Sequence, residues 1–195
     1  MRVYLAGEGL HELGDWFNLP QYRGLPPRLG VIEALLRRTC GESFSVVGAV
    51  PWCKIVKYRA GGHRAAETRN VLGAALMAQE AQCDVLVFVR DRDGDVEREQ
   101  DIEEGIKQVT GIAVAGSVVR EMIESWIRSL RGELGAEALT DPAASLRDCD
   151  LTGLVESVEK SAIGSLPNDA HSLRLWIECV QRVLEGPPRQ GTTRT

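Results

Sequence analysis

"DVLVFVRDRDGDVEREQ", residues 84–100, carries an apolar, β-branched run that stops at three alternating aspartates, Asp91, Asp93 and Asp95. The run is short and lacks polar alternation, the pattern of a parallel strand buried on both faces. Asp and Gly are turn residues, so one reading of its acidic end is a solvated turn. The other is a metal site, because ligands of open α/β sheets bind outside the carboxyl ends of the strands.

Working outward from this stretch, "VYLAG" (3–7), "FSVVGAV" (44–50) and "IAVAG" (112–116) have the same buried-strand character. Helical spacing lies between them: Val31, Ile32, Leu35 and Leu36; Val71, Leu72, Ala75 and Leu76; Ile102, Ile106 and Val109. Alternation of strands and helices predicts an α/β fold, an open, mostly parallel four-stranded sheet with helices on both faces. After the fourth strand the pattern is helical only, which predicts a helical C-terminal extension from about 117. Ser117 is the expected N-cap of its first helix, with Val118, Met122, Trp126 and Leu130 on one side. Further helices are expected at 151–163 and 170–185, giving one domain over 1–185, and "GPPRQGTTRT" (186–195) is expected to be a flexible tail.

The 195 residues suffice for one real core, and 44% hydrophobic with 26% charged residues is globular composition. No stretch approaches the ~18 consecutive apolar residues of a membrane span, and "MRVYLAGEG" has no long apolar leader, so the expectation is a cytoplasmic protein without a membrane partner. Five cysteines, scattered and odd in number, suggest neither a disulfide framework nor a zinc site. The net charge of −5 gives no general pull toward polyanions, so such a partner needs a local basic patch or bound cations.

The acids fall where the strands end. Glu8 follows the first strand, and Glu12 stands one turn further if that segment is helical. Asp91 and Asp93 close the third strand, their side chains on one side if the backbone stays extended, and the segment after the fourth carries Glu121 and Glu124. If the three strands are neighbours, five or six carboxylates converge, at a cost that hard divalent cations relieve. An all-oxygen donor set favours Mg²⁺, Mn²⁺ or Ca²⁺ over zinc. An EF-hand loop begun at Asp91 is excluded, because Val96 and Ile102 stand where Gly and Glu are required.

"VYLAGEGLHE" followed by "VLVFVRDRDGD" resembles the Toprim (topoisomerase-primase) fold, with a glutamate after the first strand and a DxD after the third. Glu8-Gly9-x-x-Glu12, the DxD and a glutamate in "IESWI" (123–127) are similar to the nuclease domain of OLD (overcoming lysogenization defect) proteins and to small stand-alone phage-defence relatives. The resemblance covers roughly residues 1–130. It implies a Toprim-like sheet and metal-dependent phosphodiester cleavage, with one cation activating water and another stabilising the leaving oxygen. By the same resemblance Glu8, Asp91 and Asp93 are metal ligands, and Glu12 and Glu124 complete a second site for Mg²⁺ or Mn²⁺. The lysine such sites often supply has no counterpart; Arg120 or Arg128 could replace its charge but not a titratable base. Haloacid-dehalogenase-like phosphatases differ by placing their DxD after the first strand, and receiver domains by a lone aspartate after the third.

The expected partners are nucleic acid, DNA rather than RNA, and a separately encoded ATPase, since OLD proteins join their nuclease to one and this chain has no GxxxxGK[ST] loop. Assembly into an oligomer is open. The alternative from another class is a non-catalytic Toprim-like sensor or binding subunit of a defence complex.

The basic stretch 52–70 is either a solvated face or a phosphate contact through Arg59, His63 and Arg64, ahead of a helix amino end. His11, between Glu8 and Glu12, is either a base or phosphate contact or an ordinary loop residue. Trp126 and Trp176 have core spacing, Trp16 and Trp52 are core or lid residues, and Asp95, Glu97 and Glu99 read as the acidic start of a helix. His171 is expected in the first turn of a helix.

Overall fold

Every residue of Val85–Asp91 except Arg90 is buried, and this strand, β3, lies between two parallel neighbours. A computed structural model describes residues 1–17, 28–58, 65–120, 122–146 and 149–185. Its sheet contains β1 (Arg2–Gly7), β2 (Ser45–Pro51), β3 and β4 (Ala113–Val119), all parallel, in the order β2-β1-β3-β4. The α/β sheet expected from the sequence is present, and three acid-bearing strands are indeed adjacent.

Successive side chains of a strand point to opposite faces, which sorts the core into two layers. Val85, Val87 and Val89 of β3, with Val3 and Leu5 of β1, face one cluster, while Leu86, Phe88, Tyr4 and Ala6 face the other. The first layer is covered by α1 (Leu10–Leu13), α2 (Val31–Cys40), α5 (Ile123–Leu130), α6 (Leu151–Lys160) and α7 (His171–Glu185). The second lies under α3 (Ala66–Glu80) and α4 (Glu97–Gln108). Trp126 and Trp176 are fully buried and pack at 5.4 Å, as their spacing predicts. Trp16 and Trp52 are buried too, each donating its indole N–H to a carboxylate.

One boundary differs from expectation. Ser117 is not a helix cap: β4 continues through Val119, which pairs with Asp91, and α5 starts only at Ile123 after an extended Met122. The β-branched pair Val118–Val119 favours the strand, and its burial in the sheet overrides the helical spacing. Asp95 and the glutamates behind it do begin α4, with Asp95 accepting from the Glu97 N–H at 3.1 Å, and His171 opens α7. The expected tail lies outside the described residues. Among the described residues no helix is long and apolar enough to cross a membrane.

Connections from β1 lead to β2 on one side, and those from β3 lead to β4 on the other, so the chain diverges between β1 and β3. Such a divergence leaves a crevice at the carboxyl ends of the two strands, where ligands of open α/β sheets bind.

Candidate functional site

The crevice outside β1, β3 and β4 is a cleft of about 380 Å³, lined by Glu8, Glu12, Asp91 and Glu124 with His11 and Met122. Four of the five acids expected to bind metal therefore reach one cavity. Glu12 gets there because α1 folds tightly back against the strand end. A Cβ on Gly7 would sit 2.8 Å from the Glu12 Cβ, and one on Gly30 would meet the Glu12 carbonyl oxygen at 2.1 Å, so only glycine permits that approach. The Glu12 carboxylate accepts the Gly9 N–H at 2.8 Å.

Three of these acids, Glu12, Asp91 and Glu124, are buried. Burial pushes the Asp91 carboxyl up to about 8, helped by the negative charges of Glu12, Glu124 and Asp93 and opposed by Arg90. Glu12 is raised as well, first by burial and then against its own backbone hydrogen bonds by the charge of Glu124. Glu124 Oε1 accepts from His11 Nδ1 at 3.0 Å, whereas its Oε2 is buried with no hydrogen-bond partner among the described residues. A buried oxygen left bare beside two other acids is the condition that a cation relieves.

Glu8 and Asp93 take another direction. Glu8 Oε1 accepts the Asp91 N–H at 3.0 Å and pairs with Arg90 Nη1. Asp93 is not extended beyond the strand: its φ of 50° is left-handed, and its carboxylate meets Arg98 Nη1 at 2.9 Å instead of lining the cleft. The expectation that the two aspartates share a side fails because the strand ends at Asp91 and a tight turn through Asp93 and Gly94 follows. Among the described residues no three Asp, Glu, His or Cys side chains are gathered in metal-ligating geometry. The carboxylates that line the cleft are oxygen donors, the ligand type that hard divalent cations take.

Arg59, His63 and Arg64 lie outside the described residues, as does Glu121. Arg128 pairs with Glu133 at 2.6 Å, and Arg120 is exposed at the end of β4, so neither enters the cleft lining. Two residues that the sequence reading did not single out stand behind Glu8, outside the cleft lining. Arg90 and Arg98 are only 12% and 13% exposed in their side chains and share Glu67. The available signal was Arg90 itself, a guanidinium inside an otherwise apolar strand.

Comparisons with family models, with curated proteins and with solved structures return no match.

Proposed function

We propose that the chain is a divalent-metal-dependent nuclease of Toprim-like type, similar to the OLD nuclease domain, serving as a DNA-cutting effector in bacterial anti-phage defence with a separately encoded ATPase. The observation that carries the reading is the burial of Glu12, Asp91 and Glu124 at one cleft, with Glu124 Oε2 left without a partner among the described residues. Structural carboxylates find donors on both oxygens; these are only partly served, by Gly9 and His11, and repel one another, which supports a cation-binding role.

Asp91, Glu8, Glu12 and Glu124 are the oxygen donors placed to hold Mg²⁺ or Mn²⁺, and Asp93 joins them only by leaving Arg98. When bound, such ions supply an activated water and offset charge on the leaving oxygen. The chain's own residues do the rest. Gly9 fixes the Glu12 carboxylate through its N–H, and the Asp91 N–H fixes Glu8. His11 orients Glu124 from the half-exposed rim, where it also reaches an incoming phosphate. The open side of the cleft admits a polynucleotide backbone.

The test is cleavage of plasmid, single-stranded DNA and RNA with Mg²⁺, Mn²⁺ or EDTA. Metal-dependent cutting lost in both Asp91→Ala and Glu8→Ala supports the assignment, and cutting that survives both sinks it. The non-catalytic sensor reading draws on one observation, the Arg90 guanidinium occupying Glu8. Absence of cutting with the ATPase partner present decides for that reading.

A further inference from the structure

Two like charges are held side by side next to Glu8, a residue of the cleft lining. Glu67 Oε1 accepts from Arg90 Nε at 3.2 Å and Nη2 at 3.1 Å, and lies 3.4 Å from Arg98 Nε. The last approach is an ion pair without hydrogen-bond geometry, since Arg98 Nε is buried and has no hydrogen-bond partner among the described residues. The other oxygen of Glu67 is anchored, accepting the Trp52 indole N–H at 2.7 Å and Asn70 Nδ2 at 3.1 Å. The Arg90 guanidinium also stands 5.8 Å from the centroid of the Trp52 ring. One fixed carboxylate thus clamps two guanidinium groups, one of whose outer nitrogens, Arg90 Nη1, points to Glu8.

A second carboxylate on a guanidinium occupies the place a phosphate oxygen takes, because both anions present paired oxygens to the same planar donors. Glu8 is also the one cleft acid that the cations need and Arg90 already holds. We propose that Arg90, with Arg98 beside it, is the phosphate-binding subsite for the DNA backbone, and that Glu8 fills it until a divalent cation draws Glu8 away. This rests on the nuclease reading above. Glu8 would leave Arg90 to hold a bound cation, and Arg90 Nη1, then left with Asp93 at 3.8 Å, would turn to the phosphodiester; phosphate on Arg90 would in turn release Glu8. Each ligand therefore assists the other, and the coupling is reciprocal. Arg90 takes the charge role for which the sequence offers no lysine.

The experiment measures Mn²⁺ binding by the full chain with and without a single-stranded DNA oligonucleotide, and DNA binding with and without Ca²⁺ across a salt series. In the wild type, Ca²⁺ tightens DNA binding. In Arg90→Gln, Mn²⁺ binds at least as tightly as in the wild type, DNA binding weakens about tenfold, the salt slope falls by about one, and the Ca²⁺ effect disappears. Arg90→Lys, which keeps the charge and guards against misfolding, retains the slope and most of the coupling. Unchanged DNA affinity and slope in Arg90→Gln overturn the proposal. So does joint loss of Mn²⁺ and DNA binding in a folded variant, which would make Arg90 a brace for Glu8. A wild type that binds DNA through Arg90 but takes up no metal sinks the nuclease reading and leaves the phosphate contact standing.

Discussion

Buried carboxylates occur in two regions of this molecule, and they are treated in opposite ways. In the helical layer, Glu137 accepts the Ser172 N–H at 3.0 Å, the Ser172 hydroxyl at 2.9 Å and the Leu173 N–H at 3.2 Å. Glu33 receives the Trp16 indole N–H at 3.1 Å and Arg37 Nη2 at 2.9 Å. At the cleft, Asp91, Glu12 and Glu124 are as deeply placed but confront each other, and Asp91 is raised to about 8. Both arrangements carry the desolvation cost of a buried charge; the first offsets it with donors on both oxygens of each carboxylate, the second only in part, through the Gly9 N–H on Glu12 and His11 on Glu124. Perturbed, mutually repelling acids in a cleft are the physical ground on which the proposed function rests.

The sharpest way to break the comparison is to remove one acid from each region. Asp91→Ala is expected to lower metal-dependent cleavage by a factor on the order of a hundred or more, measured as initial rate at saturating Mn²⁺, with little loss of folding stability. Glu137→Ala should leave the cleavage rate of the folded fraction near wild type but cost about 3 kcal/mol, because three donors at the start of α7 lose their acceptor. For a chain of this length that is a fall of roughly 6–12 °C in melting temperature. A stability loss at Asp91 as large as at Glu137 would erase the distinction between the two regions.

Magnesium provides a smaller contrast. With no DNA present, Mg²⁺ at about a hundred times its dissociation constant should stabilise the wild type by about 2.7 kcal/mol. The same addition to Asp91→Asn should do little, while Glu137→Ala should keep the full increment. Equal stabilisation of all three in thermal melts would place the ion elsewhere.

Much of this was legible in the sequence, for a physical reason. Val85–Asp91 is buried on both faces, so burial and β-branching agree and the strand reads directly; once three such strands are neighbours, their terminal acids must converge. Glu8, Glu12, Asp91 and Glu124 were found that way. Asp93 was not, because whether a residue after a strand stays extended depends on the turn, and only coordinates reveal the left-handed backbone there. Ser117 misled for the opposite reason: its local pattern suits a helix, but pairing of Val119 with Asp91 keeps it in the sheet. That same pairing sets the start of α5 and so brings Glu124 to the cleft. Glu67 was legible only as the single acid in a basic run, since its task of holding Arg90 and Arg98 joins residues that are distant along the chain.

The smallest expected effect is the tilt of stability with pH. An ordinary aspartate titrates near 3.8, whereas Asp91 titrates at about 8 in the fold, first because it is buried and then because Glu12, Glu124 and Asp93 surround it. Between those values the folded chain keeps a proton that the unfolded chain has released. The stability tied to Asp91 is therefore complete below about pH 4 and is lost as pH rises through about 8, and the shift of Glu12 acts in the same direction. Water in the open cleft moderates the loss to about 2 kcal/mol, a few degrees of melting temperature. In EDTA, Asp91→Asn should match the wild type at acid pH and exceed it by that margin above about pH 8. A constant gap between wild type and Asp91→Asn at every pH would show that the cleft acids do not repel one another, and the contrast between the two regions would fall with it.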